Sequence, residues 1–261
     1  MGRLSKAVRE QNWFAVALEI VIVVLGVVIG FQVTSWGQDR ADRAREQTYL
    51  SEIRRDLIET ETSLQEAIEV IGFTSDATSS LIRAAYVPDT VNRDSLALWL
   101  FEAQYLGIPT YRMGTARALV ETGDLQLIRD DSTRTALSRL VDEFQRSYNL
   151  QQNLVGLIFP SLVGLRKRTA TTDLYTDLIG LATGVRRQDR IVGLIGPHAK
   201  TIPEDGQLPF EEDYADLLND AEAFRDWRDM SDHLLVLQAQ YRRILETVQR
   251  TLAQVEAELS R

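Results

Sequence analysis

The feature that most limits what this chain can become is an unbroken apolar run. Phe14 to Phe31 reads FAVALEIVIVVLGVVIGF, eighteen residues with a single charge, Glu19. From Trp13 to Trp36 an α-helix rises roughly 35 Å at about 1.5 Å per residue, which matches a bilayer hydrocarbon core of about 30 Å. Trp13 and Trp36 bracket the run in the manner of membrane-interface anchors. A cleaved signal peptide is the competing reading. The run is long for a signal's apolar region, however, and Gln32-Val-Thr-Ser-Trp36 follows it in place of an Ala-x-Ala site. The expectation is an uncleaved transmembrane helix over residues 13–36, a short cytoplasmic arm over 1–12 and an ectodomain over 37–261.

Orientation rests on less. Arg3, Lys6 and Arg9 precede the run and Arg40, Arg43 and Arg45 follow it, so the basic residues balance and the positive-inside rule discriminates weakly. The α-amino group and the short arm favour an N-terminus in the cytoplasm. The ectodomain then lies in the periplasm, across a bacterial inner membrane. Such a short arm leaves no cytoplasmic output domain, so any signal would pass through a partner protein in the membrane or periplasm. The absence of cysteine is compatible with that side. It also excludes a disulfide scaffold, a thiol enzyme and a cysteine-ligated zinc site.

One face of the anchor is unusual. At about 100° per residue, with Glu19 at zero, Gly26 falls near −20°, Gly30 and Asn12 near +20°, and Gly37 near 0°. Ile20, Val21, Val24, Leu25 and Val28 lie on the other faces. Gly26-x-x-x-Gly30 is the small-residue spacing that lets helix backbones approach closely in lipid. An ionisable residue within a span is costly and usually faces a partner or water. Glu19, Gly26 and Gly30 therefore read as a helix–helix interface in a homo-oligomer. In the competing reading Glu19, about 9 Å beyond Trp13, is protonated or reaches the headgroups. Glu19 is also the one candidate for an ion or proton site.

After the anchor the pattern is helical throughout, with no alternating strand pattern. Leu50, Ile53, Leu57, Leu64, Ile68 and Ile71 form a seam of coiled-coil type, which Gly72 is expected to stop. Residues 77–86 and 94–106 read as two short helices with Pro88 between them and Asp94 or Ser95 capping the second. Trp99, Leu100 and Tyr105 read as core. Thr115 to Thr122 make a short helix closed by Gly123 in a left-handed cap. A longer helix starts near Asp131 or Ser132, with Leu137, Leu140, Val141, Phe144, Tyr148 and Leu150 inward. It reaches Phe159, where Pro160 bends or restarts it. Asp173 to Leu194 is read as helix in part, and Ile195 to Pro209 as loop. A last helix, from about Asp220 to Leu259, carries Leu234, Leu237, Tyr241, Ile244, Val248, Leu252, Val255 and Leu259 at steps of three and four. The fold class is all-α: a transmembrane helix running on into a bundle whose first and last long helices pack antiparallel.

Little here resembles catalytic chemistry. His198 and His233 are 35 residues apart, with no His-Glu-x-x-His spacing. Glu204, Asp205, Glu211, Glu212 and Asp213 form an acidic stretch without the EF-hand order of ligands, and read as solvated. Arg186, Arg187 and Arg190 form one basic patch. Arg166, Lys167 and Arg168 form another, at a helix end where positive charge suits the dipole. Gly-x-Ser-x-Gly, Walker A and Gly-x-Gly-x-x-Gly patterns are missing. The expectation is no enzyme, no cofactor and no metal. The helical turn around Gly123 resembles a helix-turn-helix in outline. A net charge of −9 opposes nucleic-acid binding.

The segment Leu18 to Trp36, with its intramembrane Glu19, Gly26, Gly30 and closing Trp, resembles the anchor of an uncharacterised domain-of-unknown-function family of bacterial single-pass membrane proteins. Tyr49-Leu50 through Asp56-Leu57, and Leu119-Val-Glu-Thr-Gly123-Asp-Leu-Gln-Leu-Ile128, resemble that family too. Gly37-Gln38 departs from the acidic or amide residue usual just after the Trp. The resemblance implies a bacterial membrane location and carries no activity, substrate or catalytic residue. Three functions remain on the sequence: a self-associating anchored protein presenting its ectodomain, an ion- or proton-conducting oligomer with Glu19 in the pore, and a periplasmic ligand-sensing bundle.

Overall fold

The computed structural model describes residues 13–169 and 214–261, with side chains from Ala17 in the first stretch and from Ala215 in the second. The arm over 1–12, the helix expected at Asp173 to Leu194 and the loop at Ile195 to Pro209 lie outside the described residues. So do the acidic stretch Glu204 to Asp213, His198, and the patch of Arg186, Arg187 and Arg190.

Among the described residues the chain is helical and has no strand. Its helices are α1 (Trp13–Ala84), α2 (Arg93–Glu102), α3 (Gly114–Thr122), α4 (Asp131–Thr169) and α5 (Ala221–Leu259). Short 3₁₀ turns lie at Pro88–Thr90, Asp124–Leu127 and Tyr214–Asn219. α1 is 72 residues long, an unbroken rod of roughly 108 Å that begins in the apolar run and ends in the bundle.

The bundle forms because three helices bury side chains at alternating steps of four and three. On α1 the buried positions are Glu46, Leu50, Ile53, Leu57, Thr60, Leu64, Ala67, Ile71, Thr74, Thr78 and Leu81. On α5 they run Ala223, Trp227, Met230, Leu234, Leu237, Tyr241, Ile244, Val248, Thr251 and Val255. α4 keeps the same rhythm through Leu137, Leu140, Phe144, Ser147, Gln151, Leu154, Ile158, Ser161 and Leu165. An average of 3.5 residues keeps one stripe facing a partner along the whole helix. α5 packs against both α1 and α4. It runs antiparallel to each: Arg54 pairs with Glu256 and Glu61 with Gln249, while Glu143 pairs with Arg243 and Arg168 with Asp226.

Several expectations shift. Gly72 does not stop α1, and residues 77–84 belong to the same helix rather than to a separate one. A helical glycine costs only about 1 kcal/mol, and Thr74, Ala77, Thr78 and Leu81 bury a further stretch of seam beyond it. α1 ends instead where Val87 precedes Pro88 and leaves the helical region, at φ −142° and ψ 54°. α2 is capped by Asn92, whose side chain accepts from Asp94 N, and stops at Glu102. α4 continues through Pro160, because Ser161, Leu162 and Leu165 are buried beyond it. Tyr148 and Leu150 are exposed, and Ser147 and Gln151 take the inward positions. Ile68, Val141, Leu252 and Leu259 flank the core, as do Trp99 and Tyr105. Gly123 has φ 80° and closes α3 as expected. α5 starts behind an Asp220 cap.

Residues 103–113 form a strap between α2 and α3 that descends along α1. Thr74 Oγ1 lies 2.9 Å from Tyr105 O. Thr110 N donates to Ser63 Oγ (2.8 Å) and Arg112 N to Thr60 Oγ1 (2.9 Å). Seven residues of near-extended chain, at about 3.3 Å each, cover the same length as fourteen helical residues at about 1.5 Å. Small side chains on α1 make this possible. At Gly107 an added Cβ would stand 2.9 Å from Ala67 Cα and nearer still to Ala67 O.

Candidate functional site

The residues singled out in the anchor stand on one regular helix. Glu19 to Gly26 spans about two turns and Gly26 to Gly30 about one. Every described side chain from Leu18 to Trp36 is exposed, and a Cβ added at Gly26 or Gly30 would meet nothing within 4 Å. An 18-residue window of this helix has a mean hydropathy of 2.4, and the helix is long and apolar enough to cross a membrane. The Thr34 hydroxyl is satisfied within the helix, donating to Gly30 O one turn back (2.9 Å). Trp13 begins α1. Trp36 lies beneath the Arg40 guanidinium, 5.8 Å from its ring, a cation–π pair at the outer end of the run.

Just beyond Trp36 the rod is fastened to the bundle. Glu46 is a carboxylate only 5 % exposed, and it accepts the backbone N–H of Arg129 at 2.6 Å. The Arg129 side chain reaches back along the rod, with Nε 3.6 Å from Glu46 and Nη2 donating to Asp39 O (3.3 Å). The next residue, Asp130, caps α4 by accepting from Ser132 Oγ, Thr133 N and Thr133 Oγ1, and it pairs with Arg261. These bonds, led by the one from Ser132, hold its carboxyl well below the usual carboxylate range. The first core layer therefore sits about ten residues, or roughly 15 Å, past Trp36.

At the opposite end Arg168 in the last turn of α4 gathers Asp220, Glu222 and Asp226 from the start of α5. Gly164 leaves room for this cluster: a Cβ there would lie 2.6 Å from Asp226 Oδ2. Arg166 donates to Gln104 O (2.9 Å). The basic residues at this helix end thus hold neighbouring segments as well as facing the dipole. His233 Nδ1 lies 2.6 Å from Asp229 O one turn earlier, a bond within α5. Among the described residues no three His, Cys, Asp or Glu side chains come together as a metal site.

Two open clefts flank the base of the strap. One, about 740 Å³, lies toward α1 and is lined by Glu52, Asp56 and Asp124 beside Tyr49 and Thr115. Asp56 accepts from the Thr115 hydroxyl (3.0 Å), and Arg112 pairs with Glu59 nearby (2.7 Å). The other lies toward α4. Glu46, Arg129 and Gln151 were not legible as functional candidates. A strict seven-residue count back from Ile53 and forward from Phe144 would have marked Glu46 and Gln151 as seam positions.

No family model, no curated protein and no solved structure matches this chain.

Proposed function

We propose that this is a non-enzymatic, membrane-anchored helical protein of a bacterial inner membrane. It self-associates through the Glu19, Gly26 and Gly30 face of its transmembrane helix and presents its helical bundle, in the periplasm, to a protein partner or signal. The observation that carries this reading is a 19-residue stretch of helix, from Leu18 to Trp36, exposed on all sides. Lipid covers most of that surface, and the two glycines on one face let a second copy approach. The resemblance at Leu18 to Trp36 supports the location. The Arg129 latch supports a rod and bundle that move as one body, so that association within the membrane would orient the bundles.

The test is oligomer size in detergent by light scattering, for the wild type and for Gly26→Ile with Gly30→Ile. The double variant is expected to fall to a smaller species with unchanged helix content. Unchanged assembly sinks the proposal.

A further inference from the structure

The cleft on the α4 side of the strap has the makings of a ligand site. It is an open cleft of about 610 Å³, within the size range of small-molecule pockets. Its walls are apolar and aromatic: Ile108, Met113, Phe144 and Tyr148 among them. The Tyr111 ring meets Phe144 edge-on at 5.0 Å, which fixes one wall.

Polar side chains share the lining, Thr110, Arg117, Gln145, Gln151 and Gln152 among them. Gln151 is 2 % exposed and lines the cleft. Its Oε1 is taken by the Tyr111 hydroxyl (2.7 Å), while its Nε2 has no hydrogen-bond partner among the described residues. That nitrogen is not one of the two unpartnered atoms sealed from solvent, Trp227 Nε1 and Tyr241 OH. It therefore keeps some contact with solvent, on a residue that lines the cleft. A ligand acceptor there would take the place of water on this donor.

Charge narrows the class further. In a chain of net charge −9, no described lining residue of this cleft is Asp or Glu, and Arg117 at the rim is its single charged group. Arg117 is held only by a loose bond to Gln145 Oε1 (3.3 Å). The neighbouring cleft, which shares Thr110, Tyr111, Met113 and Gly114 with this one, carries three carboxylates instead. We infer that the cleft between the strap and α4 binds a small organic carboxylate with an aromatic or branched apolar body. The body lies among Phe144, Tyr148 and Ile108, and the carboxylate accepts from Gln151 Nε2 and faces Arg117.

The test uses the full chain in phosphatidylcholine nanodiscs, with empty discs as reference, and two probes of one shape and opposite charge. 2-Naphthylacetate is expected to be retained saturably in equilibrium dialysis, and 2-(2-naphthyl)ethylammonium at least tenfold more weakly. Arg117→Gln, at an exposed position, should weaken the acid about fivefold without altering the thermal midpoint. Gln151→Leu should weaken it about as much. Retention equal to that of empty discs, equal binding of the two probes, or full affinity in Arg117→Gln would overturn the assignment.

Discussion

Two tyrosines in the middle of the bundle, Tyr241 buried and Tyr111 half-buried, show how much depends on a single partner. The Tyr111 hydroxyl donates to Gln151, whereas the Tyr241 hydroxyl is sealed from solvent and has no partner among the described residues. Burial pushes both hydroxyls far above the usual tyrosine range. Tyr241→Phe deletes an unsatisfied donor and should leave stability equal or raise it by about 1 kcal/mol; Tyr111→Phe should lower it by a similar amount. Denaturant midpoints measured side by side must place Tyr241→Phe at or above the wild type and Tyr111→Phe below it, or the packing is misread. Asp130 makes a pH-dependent case. Its folded pKa is depressed, so its contribution is complete above the unfolded value of about 3.9 and fades as pH falls from there toward the folded value. Asparagine can still cap a helix, so Asp130→Asn removes the charge alone. The gap in thermal midpoint between wild type and this variant should hold steady above pH 5 and close as pH falls toward 2. A gap that widens on acidification contradicts the cap.

At the scale of elements, the helices were legible and their inward faces only partly so. Leu50, Ile53, Leu57 and Leu64 mark the α1 seam because they are apolar. Thr60, Thr74, Ser147 and Gln151 lie on the same seams, but a reading that sorts residues by polarity sets them aside. Each is buried because something outside its own helix satisfies it: the strap for Thr60 and Thr74, Gln240 for Ser147, Tyr111 for Gln151. Those partners are distant in sequence, so no local pattern announces them. Gly72 failed as a stop for a related reason. Propensity marks a weak point, but packing of the seam beyond it decides whether the helix continues. The strap, an irregular segment stapled to a helix, left no periodic trace at all. Its dependence on close approach can be measured. Gly107→Ala places a Cβ against the Ala67 backbone and should cost about 1–3 kcal/mol. Amide hydrogen exchange should quicken over residues 103–113 first, because that segment must lift before α1 or α5 is disturbed. Exchange unchanged in the strap while α5 loosens would mean that the strap does not carry the contact.

For the whole molecule, the two halves of α1 differ in composition and in burial, and the boundary between them is sharp. Leu18 to Trp36 makes no buried contact, and burial on the seam begins at Glu46, with only Asp39 and Arg129 reaching toward the anchor. The charge divides along the same line. The first 36 residues hold three basic and two acidic groups, so the rest of the chain carries a net charge of −10 within the total of −9. Mean hydropathy over the chain, −0.16, averages these unlike parts and describes neither. Nothing the bundle uses to bury its core lies before Asp39. A chain beginning at Gly37 should therefore remain helical and soluble without detergent, its acidity opposing aggregation. Its thermal midpoint should lie within a few degrees of the full chain's, since no core side chain is lost. It should also be monomeric by light scattering if the transmembrane face carries association. A truncated chain that still forms the full oligomer would move the interface to the bundle and leave Gly26 and Gly30 without that role. One that precipitates would show that the bundle needs the N-terminal segment to fold, and that the two halves of α1 are not separable.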